Sequence, residues 1–82
     1  MRNIDIAKNI FDLRKKNNIT QEQLARAVNV SSQAVSKWET NTCVPDAQTM
    51  PLIAEYFDVS IDYLYYGDDK KVFPPDEQGI LL

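Results

Sequence analysis

Hydrophobic residues recur at intervals of three and four along the chain up to residue 66, the spacing of helices that each bury one face. This period predicts five helices and no strand, so we expect an all-α fold, a compact five-helix domain. The residues expected to face its core are, helix by helix, Ile6, Ile10 and Leu13; Leu24, Ala25 and Val28; Ala34, Val35 and Trp38; Met50, Ile53, Ala54 and Phe57; and Ile61 and Leu64.

Capping residues set the bounds of the first two helices. Helix 1 is predicted from about Ile4 to Lys16, because a pair of asparagines follows it. Helix 2 is predicted to begin after Thr20, whose hydroxyl caps the helix while Gln23, three residues later, completes a capping box. Asn29 is expected to end helix 2, because asparagine tolerates the left-handed backbone conformation that a helix terminus often needs.

Helix 3 follows a tight turn and separates its residues into two faces. Ser31 is its expected cap and Asn41 its expected terminator. At about 100° per residue the apolar residues share one side, and the opposite side carries Ser32, Gln33, Ser36, Lys37 and Thr40. Two short helices around a turn, the second with a small polar face, form the geometry that places side chains in the major groove of DNA. The sequence therefore predicts a DNA-binding module rather than an enzyme.

The start of helix 4 has two interpretations. Asp46 is a good cap, but Pro51 would then lie five positions into the helix, where its ring clashes with the carbonyl group four residues earlier. Either the helix starts irregularly, with Thr49 as its cap, or its first turn is kinked. Helix 5 is predicted from Ser60 to about Tyr66, with Gly67 closing it.

Charge is distributed unevenly along the chain. The net charge of −3 and the isoelectric point of about 4.7 argue at first sight against a nucleic-acid partner. Residues 1–57, however, carry seven basic and six acidic side chains, a balance of +1, whereas residues 58–82 carry two against six, a balance of −4. DNA binding therefore stays open, with a modest affinity for phosphates. We assign residues 1–67 to the helical domain and residues 68–82 to a short irregular tail, a linker or a dimerisation segment.

The scarcity of reactive side chains argues against catalysis and against a metal site. The chain has no histidine and one cysteine, so the commonest general base and metal ligand is missing and no CxxC pair exists. We expect no cofactor and no metal.

No run of residues approaches the roughly 20 apolar positions that cross a membrane. We therefore expect no membrane partner. A single cysteine, without a disulfide framework, makes a reducing cytoplasm the simplest compartment.

Several short motifs occur in a fixed order along the chain: Ile10-x-x-Leu13-Arg14, Ile19-Thr-Gln-Glu-Gln-Leu-Ala25, Val30-Ser31, Val35-Ser-Lys-Trp-Glu39, Pro45-Asp46, Ile53-Ala54, Phe57-x-Val59-Ser60 and Asp62-Tyr-Leu64. Their order and spacing, from about Ile6 to Tyr65, resemble the lambda-repressor-like, or Cro/C1-type, helix-turn-helix domain of the XRE family. The resemblance implies a small transcriptional regulator that binds specific double-stranded DNA, most simply a repressor acting as a homodimer on a pseudo-palindromic operator. The chain departs from the family pattern at Asn29 and Asn41, where glycine is usual, and at Pro51.

The outer face of helix 3 carries the candidate DNA contacts. They are Ser32, Gln33, Ser36 and Lys37, because glutamine pairs with adenine, lysine with guanine or a phosphate, and serine with several base edges. The alternative for this face is a solvated surface that any amphipathic helix has. The resemblance also implies that Gln21, at the start of helix 2, contacts a phosphate and braces a side chain of helix 3.

Four further residues receive roles, two from their position after helix 3 and two from the same resemblance. Thr40 and Asn41 are candidate phosphate donors, although a plain turn explains them equally well. Arg14 and Glu39 are expected to form a structural ion pair that ties helix 1 to the end of helix 3. We favour this structural role for Arg14 over a DNA contact, because a partly buried charge needs a partner.

Four large side chains fall outside the predicted core stripes of helices 4 and 5. Leu52 and Tyr56 share an outer face of helix 4, and Tyr63 and Tyr66 lie beside the expected Ile61 and Leu64 stripe. Aromatic residues outside a core are typical of interfaces, so we expect a two-fold dimer here. The alternative is that they cover the tail or lie singly on the surface.

Two other functions remain open at this point. The same domain occurs in antitoxins and restriction–modification controllers that regulate their own operons, where the tail could bind a partner protein. A protein-interaction module that kept the scaffold and lost DNA binding is the alternative from another class, and the acidic net charge favours it.

Overall fold

Five α-helices occupy residues 4–67, the part of the chain that the computed structural model describes, and this part contains no strand. The helices are α1 (Ile6–Lys16), α2 (Gln21–Ala27), α3 (Ser32–Glu39), α4 (Thr49–Phe57) and α5 (Ile61–Tyr66). The prediction of an all-α, five-helix fold is confirmed. The tail at residues 68–82, and with it every expectation placed there, lies outside the described residues.

The core takes one fully buried aliphatic side chain from each helix. These side chains are Ile10, Leu24, Val35, Ile53 and Leu64. Burying such a side chain contributes about 1.5–3 kcal/mol to the free energy of unfolding. Trp38 is buried among the same residues, which confirms that it belongs to the core. Because every helix contributes to one cluster, no helix can move far without disturbing the others.

Side-chain caps begin the helices at most of the predicted positions. The Thr20 hydroxyl accepts a hydrogen bond from the Gln23 N–H at 3.0 Å, and the Gln23 side chain accepts one from the Thr20 N–H at 2.8 Å. The predicted capping box is therefore confirmed. Ser31 and Ser60 likewise accept a hydrogen bond from the N–H three residues later.

Helix α1 begins two residues later than the predicted Ile4. The cap is Asp5, whose carboxylate accepts a hydrogen bond from the Lys8 N–H at 3.2 Å. The Asp5 N–H itself donates to the carbonyl of Tyr65 at 3.0 Å. This bond to α5 draws the chain out of the helix at residue 5, and Ile4 is left exposed.

Residues with positive φ end the helices where the sequence called for a left-handed conformation. Asn29 and Asn41 both have φ of 64°, which confirms the predicted role of each asparagine in place of glycine. Asp58 ends α4 in the same way, with φ of 59°. The sequence did not predict a left-handed conformation at Asp58, because an aspartate there is equally compatible with a continued helical turn.

The irregular start of α4 explains how the fold accommodates Pro51. The Asp46 carboxylate accepts a hydrogen bond from the Thr49 N–H at 2.9 Å, and the Asp46 carbonyl accepts from the Thr49 and Met50 N–H groups. Regular helix begins only at Thr49, so Pro51 lies in the first turn of α4, where its missing N–H removes no bond within the helix. Of the two interpretations the irregular start is correct, but Thr49 is the first helical residue and not the cap.

The orientation of α5 differs from the expected one. Tyr63 and Tyr65 are partly buried against the core, whereas Ile61 is 40% exposed. The prediction that Tyr63 lies off the core and that Ile61 faces it was therefore wrong. The physical reason is that α5 packs against α1, which covers one flank of the short helix, while Ile61 lies at its open first turn.

None of the helices in the described range is long and apolar enough to span a lipid bilayer.

Candidate nucleic-acid interface

Helices α2 and α3 form the pair that presents the candidate interface. The chain leaves α2 after Ala27, passes the left-handed residue Asn29 and enters α3 at Ser32. The N–H of Val30 donates to the carbonyl of Ala25 at 2.9 Å, which fixes the turn between the two helices. The inner face of α3 is buried through Val35, so its opposite face is turned outward.

The four predicted DNA contacts lie together on this outward face of α3. Ser32, Gln33 and Lys37 are exposed, and Ser36 is half-buried. Within residues 4–67 their side chains take part in no hydrogen bond or ion pair with the rest of the protein. Their donors and acceptors are therefore available to a ligand.

A buried ion pair holds the end of α3 against α1. The Arg14 guanidinium donates to both carboxylate oxygens of Glu39, from Nε at 2.7 Å and from the second terminal nitrogen at 2.9 Å. Its other terminal nitrogen donates to the carbonyl of Ile19 at 2.9 Å. The two side chains are only 9% and 5% exposed, so the pair points into the domain and not towards a ligand.

Hydrogen bonding keeps the Glu39 carboxylate ionised in spite of its burial. Burial alone would raise the pKa of Glu39, but hydrogen bonds from Arg14 and Gln21 and the charge of Arg14 outweigh it, and the pKa is lowered. The hydrogen bond with Glu39 raises the pKa of Arg14 correspondingly. Both groups are therefore charged at neutral pH.

Gln21 joins the same network from α2. Its amide nitrogen donates to Glu39 Oε1 at 3.0 Å, so the bracing of an α3 side chain by Gln21 is present. The amide group has two N–H donors. One is used by Glu39, and the second remains for the phosphate contact, which stays a prediction.

The loop after α3 folds back onto the carbonyl of Lys37. That carbonyl accepts hydrogen bonds from the Thr42 N–H at 2.9 Å and from the Thr40 hydroxyl at 3.3 Å. The hydroxyls of Thr40 and Thr42 lie 2.9 Å apart. Thr40 and Asn41 are exposed, as a phosphate contact requires. Thr42 was not among the predicted contact residues. In the sequence, only its place two residues after Thr40 could have indicated its part in this loop.

The other candidate residues lie away from α3. Leu52 and Tyr56 are 45% and 42% exposed and point away from the buried side of α4. Tyr66 is half-buried, and Tyr63 packs against the core. In the described part of the chain no group of three or more histidine, cysteine, aspartate or glutamate side chains is placed to hold a metal ion.

Comparison with known proteins places this geometry in context. A family model described as helix-turn-helix matches residues 10–64. The HTH-type transcriptional activator BcrR of Enterococcus faecalis is 36% identical over 66 residues, which are 80% of this chain and 32% of that protein. Antitoxin PezA of Streptococcus pneumoniae is 33% identical over 78 residues, 94% of this chain and 48% of that protein. The chain thus spans between about a third and about half the length of these relatives.

A solved structure has a similar fold. The c2 repressor of Salmonella phage P22, in complex with a synthetic operator in the presence of Tl⁺, superposes with a TM-score of 0.73 at 33% identity. The match covers 77% of this chain and 96% of the repressor chain.

Proposed function

This chain belongs to the Cro/C1-type helix-turn-helix family of DNA-binding transcriptional regulators, and from that membership we propose that it acts as a repressor on a specific operator in the cytoplasm. The observation that carries the proposal is the outward face of α3. It presents Ser32, Gln33, Ser36 and Lys37 side by side, free of protein partners, on a helix whose opposite face is buried.

In the proposed complex α3 enters the major groove and its side chains read base edges. Gln33 pairs with an adenine through two hydrogen bonds, and Lys37 donates to a guanine or to a phosphate. Ser32 and Ser36 contact neighbouring base edges. Helix α2 crosses the sugar–phosphate backbone and positions α3.

Phosphate contacts would come from both sides of α3. Gln21 offers its second amide N–H before α3, while Thr40 and Asn41 lie in the loop after it. The few basic side chains imply a shallower dependence of affinity on salt than in strongly basic DNA-binding proteins.

A random-sequence DNA selection followed by salt titration tests the function. Gln33→Ala should cost about 1–3 kcal/mol on the selected site and little on other sequences, so base preference relaxes. Lys37→Ala, if it contacts a phosphate, should weaken binding to all sequences alike and reduce the salt slope. A wild-type protein that selects no sequence and shows no salt-dependent binding to duplex DNA would refute the proposal and favour the protein-interaction module.

We further propose a two-fold dimer that reads two half-sites about 34–36 Å apart. The residues best suited to it are the exposed Leu52 and Tyr56 on α4, together with the exposed Ile61 and the half-buried Tyr66 on α5. Because Tyr63 packs against its own core, it contributes less than its sequence position suggested.

A charge substitution on α4 tests the dimer. Leu52→Glu should shift sedimentation equilibrium towards the monomer. Val44→Glu serves as the control, because Val44 is also an exposed apolar residue but lies in a loop. Wild-type protein that remains monomeric at high concentration, with and without operator DNA, would exclude this dimer.

One observation favours a second candidate function. One of the relatives is named an antitoxin, PezA, and its similarity covers 94% of this chain. An antitoxin would repress its own operon and bind a toxin through its C-terminal segment. Operator binding by residues 1–67 alone, together with toxin binding only by the 82-residue chain, would support this role.

A further inference from the structure

A pocket between α1 and α5 is lined by polar and aromatic side chains. On the side of α1 and its cap these are Asp5, Lys8, Asn9 and Asp12, and on the side of α5 they are Tyr63 and Tyr66. The volume is about 370 Å³, a size typical of pockets that hold small organic molecules. No residue of α2 or α3 lines it, so the pocket is separate from the candidate DNA contacts.

A buried acceptor without a hydrogen-bond partner lines this pocket. Asn9 is only 9% exposed, and its Nδ2 donates to the carbonyl of Leu64 at 2.9 Å. Its Oδ1 accepts no hydrogen bond from residues 4–67. Gly67 leaves the space in front of this oxygen open, because a Cβ on that residue would lie 2.9 Å from it. Leaving a buried carbonyl oxygen without a donor is unfavourable, so this oxygen indicates a bound molecule with an N–H or O–H group.

The charges that line the pocket indicate the sign of that molecule. Lys8 donates to Asp12 at 2.7 Å and balances one of the two carboxylates, which leaves a net charge of −1. The hydrogen bond to Asp12, followed by the charges of Asp12 and Asp5, raises the pKa of Lys8. Asp5 Oδ1 accepts the Lys8 N–H at 3.2 Å, whereas Asp5 Oδ2 has no partner within residues 4–67. A ligand with one positive charge therefore fits the pocket.

The two free oxygen atoms lie on one face of α1. Asp5 and Asn9 are one helical turn apart, and the Asn9 N–H donates to the Asp5 carbonyl at 3.0 Å. A guanidinium group has five N–H donors in one plane, enough for both oxygen atoms. Its flat face also stacks on aromatic rings such as those of Tyr63 and Tyr66. A metal ion fits less well, because no three histidine, cysteine, aspartate or glutamate side chains of the described residues are grouped to hold one.

We propose that this pocket binds a small organic molecule that carries a single guanidinium group. The guanidinium donates to Asp5 Oδ2 and to Asn9 Oδ1 and lies against the tyrosine rings. Asp5 and Asn9 also bind the last turn of α5, through the carbonyl groups of Tyr65 and Leu64. The ligand therefore stabilises the contact between α1 and α5. The inference goes beyond the proposed function and does not depend on DNA binding.

Titration of the 82-residue chain with butylguanidinium, followed by heteronuclear NMR, tests the site. The signals of the Asn9 side-chain amide and of the Gly67 N–H should shift and reach saturation, while the signals of α3 should stay in place. Butylurea has nearly the same shape without the charge, and it should bind about tenfold more weakly or worse. Equal binding of the two compounds, or no saturable shift at Asn9 and Gly67, would overturn the proposal.

Two matched variants separate the pocket from the overall charge of the protein. Asp5→Asn removes a carboxylate but keeps a good helix cap, and it should weaken butylguanidinium binding about tenfold. Asp62→Asn removes the same charge from an exposed residue of α5 that does not line the pocket, and its affinity should match the wild type. Equal losses in the two variants would mean that net charge alone attracts the cation, and the pocket would not be a site.

A melting experiment gives a second readout of the same binding. At ten times its dissociation constant, butylguanidinium should raise the melting temperature of the wild type by about 6–11 °C. At the same concentration the rise should be much smaller in Asp5→Asn and unchanged in Asp62→Asn. A lowered melting temperature in the wild type would contradict stabilisation of the contact between α1 and α5.

The arginine side chain of another protein carries the same guanidinium group. A short, capped glycine peptide with a central arginine distinguishes this source from a free small molecule. Binding no tighter than that of butylguanidinium supports the small molecule, whereas binding more than about tenfold tighter would overturn that assignment in favour of a partner protein. Failure of the site in all these measurements leaves the proposed function intact, because DNA selection and the Gln33 and Lys37 variants test α3 independently.

Discussion

Replacing Arg14 by alanine should strongly lower the free energy of unfolding at neutral pH. The substitution removes three hydrogen bonds and leaves the carboxylate of Glu39, which is 5% exposed, with Gln21 as its remaining side-chain donor. Removing one partner of a buried pair costs about 3–5 kcal/mol. At about 0.05–0.15 kcal/mol per residue, a domain of this length has a free energy of unfolding of roughly 4–12 kcal/mol. Arg14→Ala would therefore take away a large fraction of it.

Urea unfolding followed by the fluorescence of Trp38 measures this loss. Trp38 is the only tryptophan, is buried, and precedes Glu39 in α3, so its signal reports the element that the ion pair holds. The melting temperature should fall by at least about 12 °C, since each kcal/mol shifts it by about 4–8 °C in a domain of this size. The control is Lys16→Ala, which loses the same charge from an exposed position in the same turn and should change stability by less than about 0.5 kcal/mol.

A double variant keeps the reasoning testable if Arg14→Ala does not fold. Arg14→Met combined with Glu39→Met removes both charges and fills the space with apolar groups, and such replacements are often neutral. It should recover more than half of the stability that Arg14→Ala loses. An Arg14→Ala protein with the wild-type urea midpoint and weaker DNA binding would refute a structural role and make Arg14 a DNA contact.

Three further predictions concern pH and backbone conformation. The pKa of Glu39 is lowered in the folded state from its ordinary value of 4.5, so its stabilisation is complete above that pH and is lost as the pH falls through the folded value. Urea midpoints of the wild type and of Glu39→Gln should therefore converge as the pH falls below 4.5. Gly67→Ala should lower the free energy of unfolding by about 1–3 kcal/mol, because φ is +79° and the new Cβ would lie 2.9 Å from Asn9 Oδ1; an unchanged calorimetric melting temperature would contradict this. Asn29→Ala should destabilise by about 1–2 kcal/mol at φ of 64°, whereas Asn29→Gly should not, and equal melting of the two variants would exclude backbone strain as the cause.

Local signals explain what the sequence predicted well. The capping box at Thr20 and Gln23 and the caps at Ser31 and Ser60 depend only on residues three apart, and all of them are present. The left-handed Asn29 and Asn41 follow from the same short-range chemistry. Because these signals fix where α2 and α3 begin and end, the outward face of α3 could be assigned before its surroundings were known.

Tertiary contacts explain what the sequence did not predict. Helix α5 has six residues, too few for a periodic stripe to distinguish Ile61 from Tyr63, and packing against α1 decides which side is covered. The bond from the Asp5 N–H to the carbonyl of Tyr65 joins residues 60 positions apart, so no local pattern could show that α1 begins late.

The candidate site combines both kinds of information in the network around Glu39. The pairing with Arg14 was expected from the family resemblance, but the sharing of one carboxylate oxygen between Arg14 and Gln21 is visible only in three dimensions. Through that oxygen α1, α2 and α3 are held in one arrangement before any DNA is present. A rigid surface loses little conformational entropy when it binds. This saving strengthens DNA binding in a domain that has few charges to attract the phosphates. Weakening the network should therefore reduce DNA affinity even in variants that keep every residue of the outward face of α3.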